Sequence, residues 1–521
     1  MCLSWRWSLA FSFATFVALP AVPGSANWIA CMNADWLPAL ILLLPLAGAL
    51  LSVPRQDFAP YVSLVAALGT LALSIVAALW VTANGTLHGG PIFALDPLGA
   101  LYLLPVSFVY CTSSLYAIGY LWARRQEQRE NESPPRYRQY FPLMNVFALV
   151  ILAVPLLANL ALMWIAIELT TVFSAFLVAY EDRAEALEAA WKYVALTSMG
   201  AMIALLGVLL LYYATHAAGT PPTWAGLLAA APRIPGPLLL LAFVLWLIGF
   251  GAKAGLVPMH TWLPDAHSQA PASVCAVLSG VETSAALYMI LRLFPILASN
   301  PQIHDPAAWY LVLGLITVGS AAFLLLQVHD FKRMFAYSTI EHMGIILTAC
   351  GLGAAAHESG TVYQLFAHGF TKSLCFFAAG LAGIVFGTQE IAKVRGLISR
   401  APLVGWALVL GTLAIAGAPP FALFLSEFEI LRSGYGSGQY LATGLLTLFI
   451  ALAFIALTYQ STRIAFGKPE DTVRGPAIRL PRSSLLALII AFVPVFLFGF
   501  YLPPPLTHLV QEAAHMLELT K

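Results

Sequence analysis

Four ionisable residues lie deep inside long apolar runs, and their types and order suit the carriage of protons. Glu168 sits in Leu162-Met163-Trp164-Ile165-Ala166-Ile167-Glu168-Leu169, and Lys253 in Gly249-Phe250-Gly251-Ala252-Lys253-Ala254-Gly255-Leu256-Val257-Pro258. Lys372 follows His368 by four residues in Phe366-Ala367-His368-Gly369-Phe370-Thr371-Lys372, which places both on one face of a helix. Glu427 stands in Ala422-Leu423-Phe424-Leu425-Ser426-Glu427-Phe428-Glu429, just beyond Gly417-Ala418-Pro419-Pro420. A buried lysine can release and regain a proton near neutral pH, and histidine titrates there unaided. The order acid, base, base, acid is what a proton wire along the plane of a membrane needs. The plain alternatives are a polar residue joining neighbouring helices at Glu168, a static ion pair at Lys253, and a core histidine at His368.

Such residues are costly in lipid, at least ~2.5–3.5 kcal/mol each on insertion scales, so the frame around them decides the reading. Of 521 residues, 60% are hydrophobic and 9% charged, with a mean hydropathy of +0.84. An average soluble protein is about 25% charged, so this chain cannot cover a soluble surface of its own size. A net charge of +1 argues against a nucleic-acid partner. A span needs ~20 mostly apolar residues. Such stretches fall at 36–53, 60–82, 97–121, 141–158, 160–180, 192–214 and 237–258. The second half adds 272–294, 308–328, 334–352, 361–386, 402–431, 439–463 and 484–501. The expectation is an all-α polytopic membrane protein with about fourteen transmembrane helices and no soluble domain.

With fourteen spans, the loop cations sort by side. Eighteen fall on one side: Arg55; Arg124, Arg125, Arg129, Arg136 and Arg138; Arg183 and Lys192; Lys332 and Arg333; Lys393, Arg395 and Arg400; Arg463, Lys468, Arg474, Arg479 and Arg482. Three (Arg233, Arg432 and Lys521) fall on the other, while Lys253, Arg292 and Lys372 lie within spans. The positive-inside rule makes the first side cytoplasmic and puts the C-terminus opposite. Residues 1–27 carry Arg6, an apolar run from Leu9 to Leu19 and a small-residue stretch. They read as a signal peptide, an extra anchor, or a misassigned start ahead of Met32. Glycine and proline interrupt the seventh and twelfth spans, around Lys253 and at Pro419-Pro420, and such breaks in corresponding halves point to an inverted-repeat transporter.

Other matches carry less. The six cysteines include no C-x-x-C pair and read as small buried hydrophobes. Gly351-Leu352-Gly353-Ala354-Ala355-Ala356 fits a dinucleotide fingerprint but ends an apolar helix with no strand before it. His260 and His267 flank Asp265, and Glu341 adjoins His342, without metal-ligand spacing. Asn84-Gly85-Thr86 is a sequon without context.

The run Lys253-Ala254-Gly255-Leu256-Val257-Pro258-Met259-His260-Thr261-Trp262-Leu263-Pro264-Asp265-Ala266-His267-Ser268-Gln269-Ala270-Pro271 resembles the signature of the antiporter-like proton channel subunits. These occur in respiratory complex I, group 4 membrane-bound hydrogenases and multisubunit cation/proton antiporters. The resemblance covers about residues 36–500. Within the family it points most to component F of hydrogenase-4, through Trp164-Ile165-Ala166-Ile167-Glu168-Leu169-Thr170, Glu188-Ala189-Ala190-Trp191-Lys192-Tyr193, Tyr337-Ser338-Thr339-Ile340-Glu341-His342-Met343-Gly344 and Ser426-Glu427-Phe428. It implies two inverted five-helix repeats with helices 7 and 12 broken. Residues 1–35 would be an N-terminal extension and 36–140 helices 1–3. The first repeat would be 141–300 (helices 4–8) and the second 301–470 (helices 9–13), leaving 471–521 for a loop, helix 14 and a tail. The resemblance assigns an input glutamate and lysine to Glu168 and Lys253, and a lysine and terminal acid to Lys372 and Glu427. Where many relatives carry a lysine or histidine on the eighth helix, this chain has Ser284, so bound water or Glu282 must bridge the halves, or transfer between them is weakened. No long lateral amphipathic helix follows the fourteenth span, unlike the distal subunit type.

The function expected is a proton-translocating membrane subunit of a hydrogenase-4-like or NADH:quinone-oxidoreductase-like complex in a bacterial or archaeal plasma membrane. A redox-driven change in its neighbours would alter a Glu168–Lys253 pair and pass protons along Glu168, Lys253, His368, Lys372 and Glu427. Glu282, Ser284, His260, Asp265, His267 and His342 are accessory candidates. No cofactor is expected on this chain. Nickel–iron, iron–sulfur or flavin centres and quinone would belong to a peripheral redox arm and other membrane subunits. The alternatives are a cation/proton antiporter module, with sodium as the ion and Glu282, Thr283 and Ser284 as ligands, and the membrane partner of an inorganic-carbon uptake system. A structural anchor that no longer pumps is the third.

Overall fold

The computed structural model describes residues 33–54, 57–128, 137–352, 359–467 and 480–518. The N-terminal extension up to residue 32, Arg55, Arg129, Arg136, Lys468, Arg474, Arg479, Lys521 and most of the Gly351–Ala356 match lie outside the described residues.

Apolar composition over long stretches produces helix after helix, because backbone groups in lipid must be satisfied within the segment. The first six are α1 (Leu37–Ser52), α2 (Ala59–Asn84), α3 (Pro97–Gln128), α4 (Tyr137–Leu156), α5 (Leu160–Val178) and α6 (Ala184–Ala217). A short α7 (Trp224–Ala230) precedes α8 (Gly236–Ala254), α9 (Trp262–Gln269), α10 (Ala272–Val277), a π turn (Leu278–Glu282) and α11 (Thr283–Ala298). Then come α12 (Ala307–Leu325), α13 (Phe331–Gly351), α14 (Ser359–Phe386), α15 (Leu397–Arg400), α16 (Pro402–Ile415), α17 (Ala422–Gly436), α18 (Tyr440–Phe466), α19 (Arg482–Leu497) and α20 (Pro504–His515). Ten helices among the described residues are long and apolar enough to cross a membrane, and α1, α16 and α19 are shorter apolar ones. The all-helical polytopic reading therefore holds, with one addition. Between α2 and α3, β1 (Leu87–Gly89) pairs antiparallel with β2 (Phe93–Leu95), Leu87 opposite Leu95.

Both interruptions are real breaks. Gly255 takes a left-handed φ of 79° just after α8, and Gly417 a φ of 73° between α16 and α17, values that favour glycine. The stretch 402–431 is thus two helices. Gly249 serves a different end: a Cβ there would stand 2.5 Å from the Gly200 carbonyl oxygen, so it lets α8 lie against the backbone of α6.

Burial grades inward. Over their most apolar eighteen-residue windows, Ala272–Ala298 is wholly buried and Ser359–Phe386 is 89% buried, against 28% for Tyr440–Phe466. The central helices are therefore sheltered from lipid by their neighbours, and this is where a titratable residue can sit at tolerable cost. A cavity of about 280 Å³ gathers Arg124, Arg183, Lys332, Gly387 and Glu390, which puts the end of α3, the start of α6, the start of α13 and the end of α14 at one end of the bundle. The amphipathic α20, which lies in the region read as a tail, rests on α3 and α14.

Candidate functional site

The first cluster forms around Lys253, on the last turn of α8 and 1% exposed. Its ammonium donates to the Thr171 hydroxyl of α5 and pairs at 3.1 Å with the Glu282 carboxylate. Glu282 closes the π turn; an extra residue wound into a helix commonly marks a functional position. The same carboxylate oxygen accepts from the Tyr193 hydroxyl of α6 at 2.6 Å and from Thr170 of α5 at 3.0 Å. The other oxygen has no hydrogen-bond partner.

This corrects the expected Glu168–Lys253 pair. Glu168 accepts from the Ser198 hydroxyl of α6 at 2.7 Å, and Glu282, carried by the π turn, takes the place of counter-ion. Glu168 stays close in chain terms, one helical turn before Thr171, so the two share a face of α5. Ser284 donates to the Gly280 carbonyl of its own helix at 3.3 Å.

The second cluster centres on Lys372 in α14, fully buried. It has no carboxylate in ion-pair contact among the described residues; it donates to the Phe335 carbonyl at 2.8 Å and to the Ser338 hydroxyl, both on α13. One turn earlier, His368 has neither ring nitrogen hydrogen-bonded, and its ring lies 5.5 Å from that of His342. Here α14 crosses the π turn almost backbone to backbone: a Cβ on Gly280 would meet the Gly369 oxygen at 3.1 Å. His368 therefore stands beside the crossing of α14 and the π turn.

Glu427, on α17, is 5% exposed. Its Oε1 accepts from the Gln364 amide at 3.4 Å and lies 3.9 Å from His342 Nδ1. A Cβ on Gly417 would overlap this carboxylate, so the break in the chain also makes the room that Glu427 occupies. Ser426 donates to the Gln364 carbonyl oxygen.

The accessory residues go separate ways. Asp265 binds Arg333 at 2.6 Å and Lys192 at 3.3 Å. His267 donates through Nδ1 to the Leu263 carbonyl at 2.7 Å, and the His260 Nδ1 has no partner. No three His, Cys, Asp or Glu side chains come together as metal ligands among the described residues.

Three further charged residues are buried. Lys332, read as a loop cation, is 2% exposed and donates to the carbonyls of Ser268 and Ala270 at 3.0 and 2.7 Å. Arg292 forms a two-point pair with Asp96, its guanidinium lying 4.8 Å from the Tyr288 ring and 5.2 Å from that of Trp224. Glu341 is buried on α13; the bilayer argument that selects Glu168 applies equally to it, well inside 334–352.

A family described as NADH:quinone oxidoreductase/Mrp antiporter, transmembrane, matches residues 158–453. A hydrogenase-4 component F homolog of Methylacidiphilum infernorum (isolate V4) is 35% identical over 438 residues, 82% of this chain and 89% of that protein. Hydrogenase-4 component B of Escherichia coli (strain K12) is 27% identical over 442 residues, 80% of this chain. The chain spans only 63% of that second relative. Among solved structures, a chain of the membrane-bound sulfane sulfur reductase, an archaeal respiratory membrane complex, has a TM-score of 0.81 at 23% identity, over 94% of this chain and 98% of that one. That last likeness is one of fold.

Proposed function

Because the chain belongs to the NADH:quinone oxidoreductase/Mrp antiporter transmembrane family, we propose that it is the proton-translocating membrane subunit of a hydrogenase-4-like or NADH:quinone-oxidoreductase-like complex. The observation that carries this reading is that Lys253, Glu282, Lys372 and Glu427 are all buried inside the helix bundle, none more than 5% exposed. On this reading the chain crosses a bacterial or archaeal plasma membrane fourteen times. Helices 4–8 and 9–13 form inverted repeats, the basic loops are cytoplasmic and the C-terminus is opposite. Nickel–iron, iron–sulfur or flavin centres and quinone sit in partner subunits, which include other membrane subunits and a peripheral arm.

The chain's own part is to hold and move protons. The polar cavity beside Lys332 is its cytoplasmic mouth, and Glu168, hydrogen-bonded to Ser198, is the input acid of the first half. The Lys253–Glu282 pair is the element that a redox-driven shift in a neighbouring subunit opens or closes. Closed, the pair holds the lysine charged. Opened, it leaves a buried ammonium without its counter-ion, which favours release of the proton towards His368 and Lys372. Breaking such a buried pair is worth about 3–5 kcal/mol. Moving one proton against 100 mV takes about 2.3 kcal/mol, so one pair suffices for one proton. Lys372, held only by neutral oxygens, has no such clamp and passes the proton on, and Glu427 releases it on the far side.

The test uses inside-out vesicles holding the whole complex, energised with hydrogen or NADH in sodium-free buffer. Acidification of the lumen, lost in Glu427→Gln at equal complex abundance, is the expected result. A pH change that requires sodium would instead make the chain a cation/proton antiporter module. Redox turnover with no pH change would make it a structural anchor.

A further inference from the structure

The second half contains a carboxylate that the row above leaves idle. Glu341 lies on α13 with 3% of its surface exposed, and its Oε2 has no hydrogen-bond partner. Its place on the helix is informative. Ser338, which binds the Lys372 ammonium, stands three residues earlier on the same face, one turn away, with Cβ atoms roughly 5–6 Å apart. Glu427 reaches the next residue along α13, its Oε1 lying 3.9 Å from His342 Nδ1.

His342, the obvious alternative carrier, is occupied. Its Nε2 faces the Ile415 carbonyl at 2.7 Å, so that nitrogen must hold the hydrogen and donate. Nδ1 then keeps its lone pair and accepts from the Gln364 amide at 2.8 Å. With both nitrogens engaged, the ring gains a proton only after the Gln364 contact is lost. Glu341 has no such contact to give up.

We propose that Glu341 carries the proton from Lys372 to Glu427, with His342 and Gln364 holding the acceptor in place. The proposal rests on the reading of the row as a proton path. The Lys372 ammonium gives its proton to the Glu341 carboxylate, leaving a neutral amine and a neutral acid. Glu341 then gives that proton to the Glu427 carboxylate and regains its charge, and Lys372 is reprotonated from the His368 side. Side chains one turn apart meet directly or through a single water. Two carboxylates in one site do not readily stay ionised together, so once Glu427 has released its proton the two acids draw the next one from Lys372.

The experiment compares Glu341→Gln, Glu341→Asp and Glu427→Gln in the intact complex in inside-out vesicles, with protons counted per electron pair. Glu341→Gln should lower that ratio at least tenfold in this subunit's share, while Glu341→Asp, which still titrates, keeps a third or more. A Glu341→Gln ratio equal to wild type overturns the proposal. Equal losses in the Asp and Gln variants also overturn it, since they make Glu341 a packing residue. Glu427→Gln separates the two levels: if it fails to pump while Glu341→Gln pumps, only Glu341 falls, and if both pump, the row itself falls. Should Glu341→Gln not assemble, infrared difference spectra of the wild type and Glu341→Asp decide. A protonated-carboxyl band that moves in the Asp variant supports the proposal, and an unmoved spectrum overturns it.

Discussion

Two buried ion pairs in this molecule do different work because their cations differ. Arg292 keeps its proton under all ordinary conditions, binds Asp96 at two points and lies against Tyr288 and Trp224. It is a fixed strut. Arg292→Met would leave the half-buried Asp96 without its cation and should destabilise the chain, seen as a lower unfolding temperature of the detergent-purified complex. A lysine, unlike an arginine, is able to give up its proton when buried, and the contact of Lys253 with Glu282 is a single 3.1 Å approach. Glu282→Gln should therefore leave the chain assembled and cut pumping at least tenfold, because a neutral amide cannot hold the ammonium charged. Ser284→Ala should pump within twofold of wild type, since the Ser284 hydroxyl is spent on its own helix. Pumping measured per assembled complex checks both.

At the scale of elements, the site depends on places where the chain is not a regular α-helix. Gly417 supplies the turn and the space that Glu427 fills. Gly280 and Gly369 let the π turn and α14 cross, and a Cβ on Gly369 would meet Pro105 Cβ at 3.0 Å and the Gly280 oxygen at 3.2 Å. Gly369→Val should cost roughly 1–3 kcal/mol through overpacking and displace His368, so pumping should fall further than complex abundance, measured side by side on immunoblots and in vesicles. The two breaks were legible in the sequence because glycine and proline next to an apolar run leave few other options. The π turn was not. Five residues of Leu-Ser-Gly-Val-Glu carry no mark that separates π from α winding, and the partner of Lys253 depends on which helix faces α8. Glu341 is legible too, since it lies well inside the apolar stretch 334–352, although its place beside His342 gives it the look of a metal-ligand pair.

At the scale of the whole molecule, charge placement orders everything. The cavity end of the bundle gathers Arg124, Arg183 and Lys332, and the basic cluster continues through Arg333 and Lys192 around Asp265. Loop composition anticipated that grouping from the low tolerance of lipid for unpaired cations. It did not show that Lys332 turns inward to cap carbonyls, since a loop lysine and a buried one look alike in sequence. If the basic end is cytoplasmic, a cysteine at the exposed Arg400 should react with a membrane-impermeant maleimide only in inside-out vesicles, and one at the exposed Arg432 only in right-side-out spheroplasts. The reverse pattern would invert the path.

The central claim is that protons pass through the middle of this chain by way of Lys372, which links the first half to the acids of the second. Its most direct test is the proton-to-electron ratio of the intact complex in inside-out vesicles with Lys372→Met in place of the wild-type residue. The account predicts that electron transfer with uncoupler continues while the ratio drops by this subunit's full share. A wild-type ratio in Lys372→Met, at equal complex abundance, would contradict it.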